Sequence, residues 1–220
     1  MSAGPCDSRT DRSRPWRIVL AALGGLWAAL LLPLPATVWG VTQWAWLFDQ
    51  PMYVWARQWA ADPYITFGAL SSLSFLAVGA ALFADLRRAR WGGIVMAWLI
   101  IVGAPLTALS YLNTAVAAPL HFLWGWEAYA LLGVGAGGIA AAATAGPRWG
   151  IGVRSVLGMT FLILVVGTIA LGYWPHGSLV VLALEAVGVI AAAPRDAAFT
   201  TAEDSTPPET AQQRRSTPTP

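Results

Sequence analysis

The chain has 220 residues, of which 57% are hydrophobic and only 11% are charged, and its mean hydropathy is +0.59. An ordinary soluble domain carries about 25% charged residues, so this composition argues against a water-soluble fold. The formal net charge of +2 comes from 13 basic residues, all of them arginine, against 11 acidic ones. These arginines lie in short loops between apolar stretches rather than in one basic, aromatic-lined patch, so no nucleic-acid partner is expected.

Six stretches of the chain are apolar enough for membrane-spanning helices, which need about 20 mostly apolar residues. The predicted spans are 18–38, 64–84, 92–112, 122–143, 155–173 and 178–193. The last is the shortest, with 16 residues. The sequence therefore predicts an all-α, multi-pass integral membrane protein, with the lipid bilayer as its surroundings. Its transmembrane domain covers 18–193 and lies between a basic N-terminus, 1–17, and a tail, 194–220.

The arginines also predict the orientation, because cytoplasmic loops retain positive charge during insertion. With the N-terminus inside, twelve of the 13 arginines fall in the cytoplasm and only Arg57 falls outside. We therefore expect a bacterial plasma-membrane protein with both ends in the cytoplasm. The first stretch also resembles a signal peptide, but it lacks a clear Ala-x-Ala cleavage site, which favours an uncleaved first helix.

The longest external segment, 40–62, is rich in tryptophan. Gln50 followed by Pro51 is typical of a helix start, since proline is favoured at the first helical position. Apolar residues then recur at helical spacing through Trp55 and Trp59, which predicts a short helix lying flat at the outer interface. An aromatic belt that anchors the segment and a lid over a cavity are both open interpretations.

Two further segments have a distinctive composition. In the fourth span, Gly133, Gly137 and Ala141 recur every four residues, a spacing that lets helices pack closely in lipid. We expect this surface to pack against a helix, either within the chain, in a homo-oligomer or in a membrane partner. The tail, 194–220, has too few apolar residues to form a core and is predicted to be disordered in the cytoplasm.

The candidate site is a polar pocket that opens outward. Glu127 and Glu185 lie inside predicted spans, where a carboxyl group is costly and lines a cavity or finds a partner. Counted from the predicted helix starts, both lie about 7 to 11 Å below the outer face, and so at one level. Arg57 is a candidate counterion. The other candidate pocket residues are His121, His176, Ser71 and Thr107.

Three functions remain open. The first is a small non-enzymatic component, either an accessory subunit or a ligand-responsive or transport-related protein. The second is a proton- or cation-coupled carrier in which Glu127 and Glu185 share a proton. The third is a membrane-embedded hydrolase or transferase that uses His121, His176 and both carboxyl groups. If none applies, the two carboxyls simply hydrogen-bond neighbouring helices.

Enzyme signatures are missing from the sequence. It contains no HExxH, GxSxG, Walker A or CxxC motif. The single cysteine, Cys6, excludes an intramolecular disulfide and a cysteine-ligated metal site. No metal or cofactor is therefore expected.

Overall fold

The computed structural model describes residues 13–39 and 43–194, and every secondary-structure element in these ranges is helical. The α-helices are α1 Ser13–Leu31, α2 Pro33–Ala36, α3 Pro51–Gln58, α4 Pro63–Leu70, α5 Ser72–Arg88, α6 Arg90–Leu112, α7 Trp126–Thr144, α8 Ile151–Gly158, α9 Thr160–Leu171 and α10 His176–Ala192. Short 3-10 helices cover Thr37–Trp39, Ala45–Leu47 and His121–Leu123. The predicted tail from residue 195 onward and residues 1–12 of the predicted N-terminus lie outside the described residues.

Among the described residues, four helical segments are long and apolar enough to cross a membrane: Ser13–Ala36, Pro63–Arg88, Arg90–Leu112 and His121–Thr144. Helices α8 and α9 form a fifth if they are counted together, although they bend by 58° at a break. Helix α10 has 17 residues and is shorter than the other candidates. The predicted all-helical fold is therefore confirmed, and four or five helical segments in the described part of the chain are long and apolar enough to span a membrane.

Consecutive long helices run antiparallel and place many of the arginines at one end of the bundle. Arg14, in the first turn of α1, donates a hydrogen bond to the carbonyl of Ile190 near the end of α10. Thr144, at the end of α7, donates to the carbonyl of Ala89 between α5 and α6 at 2.7 Å. We call this end the arginine face. It carries Arg14, Arg17, Arg87, Arg88, Arg90, Arg148 and Arg154.

The predicted loop between the second and third spans, 85–91, is almost entirely helical. Helix α5 continues to Arg88 and α6 begins at Arg90, so that only Ala89 separates them. Asp85 is buried, with 1% of its surface exposed, and pairs with Arg17 of α1 and with Arg88 at 3.0 Å. The helix therefore runs four residues past the predicted end of the span at residue 84, and the charge of Asp85 is neutralised by two arginines inside it.

The small residues of α7 pack against neighbouring helices of the same chain. A methyl group added at Gly137 would lie 2.9 Å from Cα of Met96 on α6. One added at Gly135 would lie 2.9 Å from Cβ of Phe161 on α9. Contacts this close explain the glycines by packing within the chain, so they do not need a partner subunit to account for them.

The tryptophan-rich segment contains the short helix that the sequence predicts. Helix α3 begins at Pro51, directly after Gln50, and its residue Trp55 and the following Trp59 are 60% and 75% exposed. The indole of Trp44 donates a hydrogen bond of 2.6 Å to the carbonyl of Leu171, the last residue of α9. The segment therefore lies at the end of the bundle opposite the arginine face. We call this end the outer face, after the orientation that the sequence predicts.

Candidate functional site

Three helix ends meet at the outer face and bring polar side chains together. Asp62 caps α4 by accepting a hydrogen bond from the backbone N–H of Ile65 at 3.1 Å. This fixes Tyr64 in the first turn of α4, where its ring lies 5.0 Å from the ring of Tyr111 near the end of α6. Gly68 of α4 leaves the room that the Tyr111 ring occupies.

Glu127 lies beside this tyrosine pair. It is the second residue of α7 and follows Gly125, whose positive φ of 86° favours glycine. The Ser110 hydroxyl accepts a hydrogen bond of 2.9 Å from the backbone N–H of Gly125 and hydrogen-bonds the Glu127 carboxyl. Glu127 is 6% exposed, and its Oε2 atom has no hydrogen-bond partner. Buried polar atoms normally have a hydrogen-bond partner, so an acceptor atom without a donor is unusual here.

The polar contacts continue to the start of α10. The hydroxyl oxygens of Tyr111 and Tyr173 lie 3.4 Å apart, and the rings of Tyr173 and His176 are 5.3 Å apart. His176 is fully buried, and neither ring nitrogen forms a hydrogen bond, although the backbone of Phe67 lies nearby. We call this group the outer cluster. It consists of Tyr64, Ser110, Tyr111, Glu127, Tyr173 and His176.

Two other predicted residues do not belong to the outer cluster: His121 lies at its edge, and Arg57 lies in the tryptophan-rich segment. His121 places its Nδ1 atom 3.1 Å from the carbonyl of Asn113 and stacks on Trp124 with ring centroids 5.9 Å apart. Arg57 donates to the carbonyl of Phe48 within the tryptophan-rich segment. That contact engages the Arg57 side chain within its own segment.

The two predicted hydroxyl residues are buried in the helices below. The Ser71 hydroxyl donates a hydrogen bond of 2.6 Å to the carbonyl of Gly68, one turn earlier. Thr107 is fully buried one turn before Ser110 on α6, and its hydroxyl has no hydrogen-bond partner. The Ser71 hydroxyl is therefore paired within its own helix, and Thr107 adds a further unpaired polar group beneath the outer cluster.

Glu185 lies in a different part of the molecule. Its Oε1 atom lies at a hydrogen-bonding distance of 2.6 Å from the hydroxyl oxygen of Thr160, the first residue of α9. Thr160 also packs against Gly138 of α7, where an added methyl group would lie 2.6 Å from Cβ of Thr160. Gly138 follows Glu127 by eleven residues in the same helix, which corresponds to a rise of about 16 Å. The structure therefore does not bring the two carboxyls together.

The two glutamates do not lie at the one depth that the sequence predicts, because α7 and α10 begin at other residues than predicted. Helix α7 begins at Trp126, so Glu127 lies one residue, about 1.5 Å, from its start. Helix α10 begins at His176, so Glu185 lies nine residues, about 13.5 Å, from its start. Shifts of two to four residues at the two helix starts thus place the carboxyls at different depths.

Sequence reasoning also missed several site residues. Asp85 was not predicted, because it falls in the loop between two predicted spans. The signal that could have revealed it is its i, i+3 spacing to Arg88, which is typical of a helical ion pair. Tyr64 and Tyr173 were not singled out, because an aromatic residue near a helix end is usually part of the interfacial belt. Only the fold shows that these rings adjoin Tyr111 and His176.

Within the described ranges, no three histidine, cysteine or acidic residues come close enough to hold a metal ion. The four side chains required by the enzyme hypothesis therefore do not form a metal centre. A cavity of about 150 Å³ lies near the outer face between α1, α9 and α10, and apolar residues such as Leu32, Leu171 and Val180 line it together with Trp44. No family model, curated protein or solved structure matches the chain.

Proposed function

We propose that the chain crosses a bacterial plasma membrane six times, with both ends in the cytoplasm. Seven of the eight arginines in the described ranges belong to the arginine face, which is the distribution expected for a cytoplasmic side. Helix α10 would be the sixth span. Its 17 residues rise about 25 Å, slightly less than the hydrocarbon thickness of about 30 Å, a mismatch that local bilayer thinning accommodates.

We further propose that the outer cluster binds a small ligand with a cationic group from outside the cell. In this view the protein is a non-enzymatic, ligand-responsive or transport-related component. The observation that carries the proposal is the buried, unpaired Oε2 atom of Glu127 beside Tyr64 and Tyr111. A carboxylate next to aromatic rings is the chemistry that recognises an ammonium group, through charge and cation–π attraction.

The other two functions receive less support from the geometry. Both the carrier with a shared-proton pair and the hydrolase or transferase need Glu127 and Glu185 in one place. A separation of about 16 Å along the bundle is too large for two carboxyls to share a proton. The ligand-binding function requires only Glu127 and its immediate neighbours.

The test uses tetramethylammonium as a probe of the outer cluster. The melting temperature of the purified protein in detergent is measured in tetramethylammonium chloride and in sodium chloride at the same concentration. At ten times the dissociation constant, binding raises the free energy of unfolding by about 1.4 kcal/mol. Wild type and Asp49→Asn, which removes an exposed acid on the same face, should show the shift. Glu127→Gln should lose it, and an equal shift in Glu127→Gln refutes the proposal.

A further inference from the structure

The break between α8 and α9 places three oxygen atoms in contact. The Thr160 hydroxyl oxygen lies 2.6 Å from Oε1 of Glu185 and 2.7 Å from the carbonyl oxygen of Leu157. Thr160 is fully buried and Glu185 is 6% exposed, with no hydrogen-bond partner at its Oε2 atom. Both short contacts therefore lie inside the helix bundle, away from solvent.

The number of hydrogen atoms available for donation limits how many of these contacts can be hydrogen bonds. The Thr160 hydroxyl carries one hydrogen, whereas the carbonyl of Leu157 and an ionised carboxylate are acceptors only. One hydrogen cannot serve two acceptors fully. Both contacts become hydrogen bonds when the carboxyl carries a proton, because Glu185 then donates to Thr160 and Thr160 donates to Leu157.

We propose that Glu185 and Thr160 form a proton-binding site at the α8–α9 break. The site is separate from the outer cluster and does not depend on the ligand proposed there. Glu185 lies five residues before Ile190, whose carbonyl binds Arg14, which is a rise of about 7.5 Å. The site is therefore between the two faces and nearer to the arginine face.

The charged groups on the helices that pack against α10 support this assignment, because each is engaged elsewhere. On α1, Arg14 binds carbonyls at the end of α10 and Arg17 pairs with Asp85 of α5. On α8, Arg154 donates to the carbonyl of Ala142. The remaining charges on α5 are Arg87, which lies over the Phe83 ring, and Arg88, which pairs with Asp85. Helix α9 has no charged residue.

An ionised Glu185 would therefore stand in an apolar interior without a counterion, which is costly. A metal ion fits less well than a proton, because Ca²⁺ takes six to eight oxygen ligands and Mg²⁺ requires an octahedron. Only three oxygen-bearing groups, those of Glu185, Thr160 and Leu157, are seen to converge here in the described part of the chain.

Proton binding at this site is linked to the shape of the fifth span. When Glu185 loses its proton, the contact between α10 and the first residue of α9 loses a hydrogen-bond donor. The 58° bend between α8 and α9 then loses one of the interactions that hold it against α10. A proton that binds more tightly to the bent span than to a straighter one therefore favours the bent conformation.

Infrared difference spectroscopy on the full-length protein tests the site. We expect the carbonyl stretching band of a protonated carboxylic acid at neutral pH, retained in Glu127→Gln and absent in Glu185→Gln. Thr160→Val should shift the band and Thr160→Ser should not, which keeps the test decisive if Glu185→Gln fails to fold. A band that is absent in Glu127→Gln, that is unmoved by Thr160→Val, or that disappears when sodium chloride is added to the buffer overturns the proposal.

Discussion

Arg14 and Ile190 join the two ends of the helical domain. The Arg14 guanidinium donates to the Ile190 carbonyl at 2.7 Å through Nε and also reaches the carbonyl of Ala191 at 2.6 Å. The last carbonyls of a helix have no partner within the helix, and they form its negative end. Arg14 therefore satisfies the end of α10 with a cation and fixes the first turn of α1 beside it.

Replacing Arg14 with glutamine should lower the free energy of unfolding by about 1 to 3 kcal/mol, because hydrogen bonds to a charged group are lost. Thermal unfolding in detergent measures the effect. Arg87→Gln is the matched control, since Arg87 is exposed and lies over the Phe83 ring at 5.8 Å. Equal melting temperatures for the two variants would show that the α1–α10 contact adds nothing to stability.

The pair formed by Arg17 and Asp85 is buried, with 12% and 2% of the two side chains exposed. Asp85→Asn should destabilise the protein by about 3 to 5 kcal/mol, because it leaves the charge of Arg17 in an apolar site. The double variant Arg17→Met with Asp85→Leu should be more stable than Asp85→Asn, since it removes both charges.

A double-mutant cycle over Arg17 and Asp85, followed by chemical denaturation, measures the coupling between them. The matched control is Arg88→Gln, because Arg88 also contacts Asp85 but its side chain is 33% exposed. Single-variant effects that add to the double-variant effect would contradict a buried pair.

Gly68 determines where the Tyr111 ring can lie. A methyl group added at Gly68 would lie only 2.6 Å from Cγ of Tyr111, so Gly68→Ala must displace that ring. Overpacking of this kind costs about 1 to 3 kcal/mol. Gly133→Ala is the control, because an added methyl there meets Leu99 at an ordinary 3.4 Å. Melting temperatures that fall equally in both variants would mean that Gly68 is not needed for the ring.

The sequence predicted those features that depend on local chemistry. The predicted span 92–112 agrees closely with α6, and Pro51 marks a helix start as expected. Local composition could not reveal the break at Met159, because the apolar stretch continues through it. The Thr160 hydroxyl contacts Glu185, which lies 25 positions later in the chain. The same limit applies to Asp85, whose burial depends on an arginine in another helix.

The predicted depths of Glu127 and Glu185 differ from the observed ones for a related reason. Apolar stretches locate a helix without fixing its first residue, and each residue changes the depth by about 1.5 Å. The 3-10 helix His121–Leu123 and the turn at Gly125 occupy the residues that were expected to begin the fourth span. The polar neighbours of Glu127 come from α4 and α6, and only the packing of these helices brings them together.

In the proposed orientation, the outer cluster faces the outside of the cell and the arginine face lies in the cytoplasm. Cysteine labelling tests it directly, since Cys6→Ser leaves no other cysteine. The sites are Trp124→Cys, beside the cluster and 47% exposed, and Arg148→Cys, an exposed position on the arginine face. An impermeant maleimide applied to intact cells should label Trp124→Cys at once and Arg148→Cys only after the membrane is opened. Labelling of Arg148→Cys in intact cells, or of neither variant until the membrane is opened, would contradict the account.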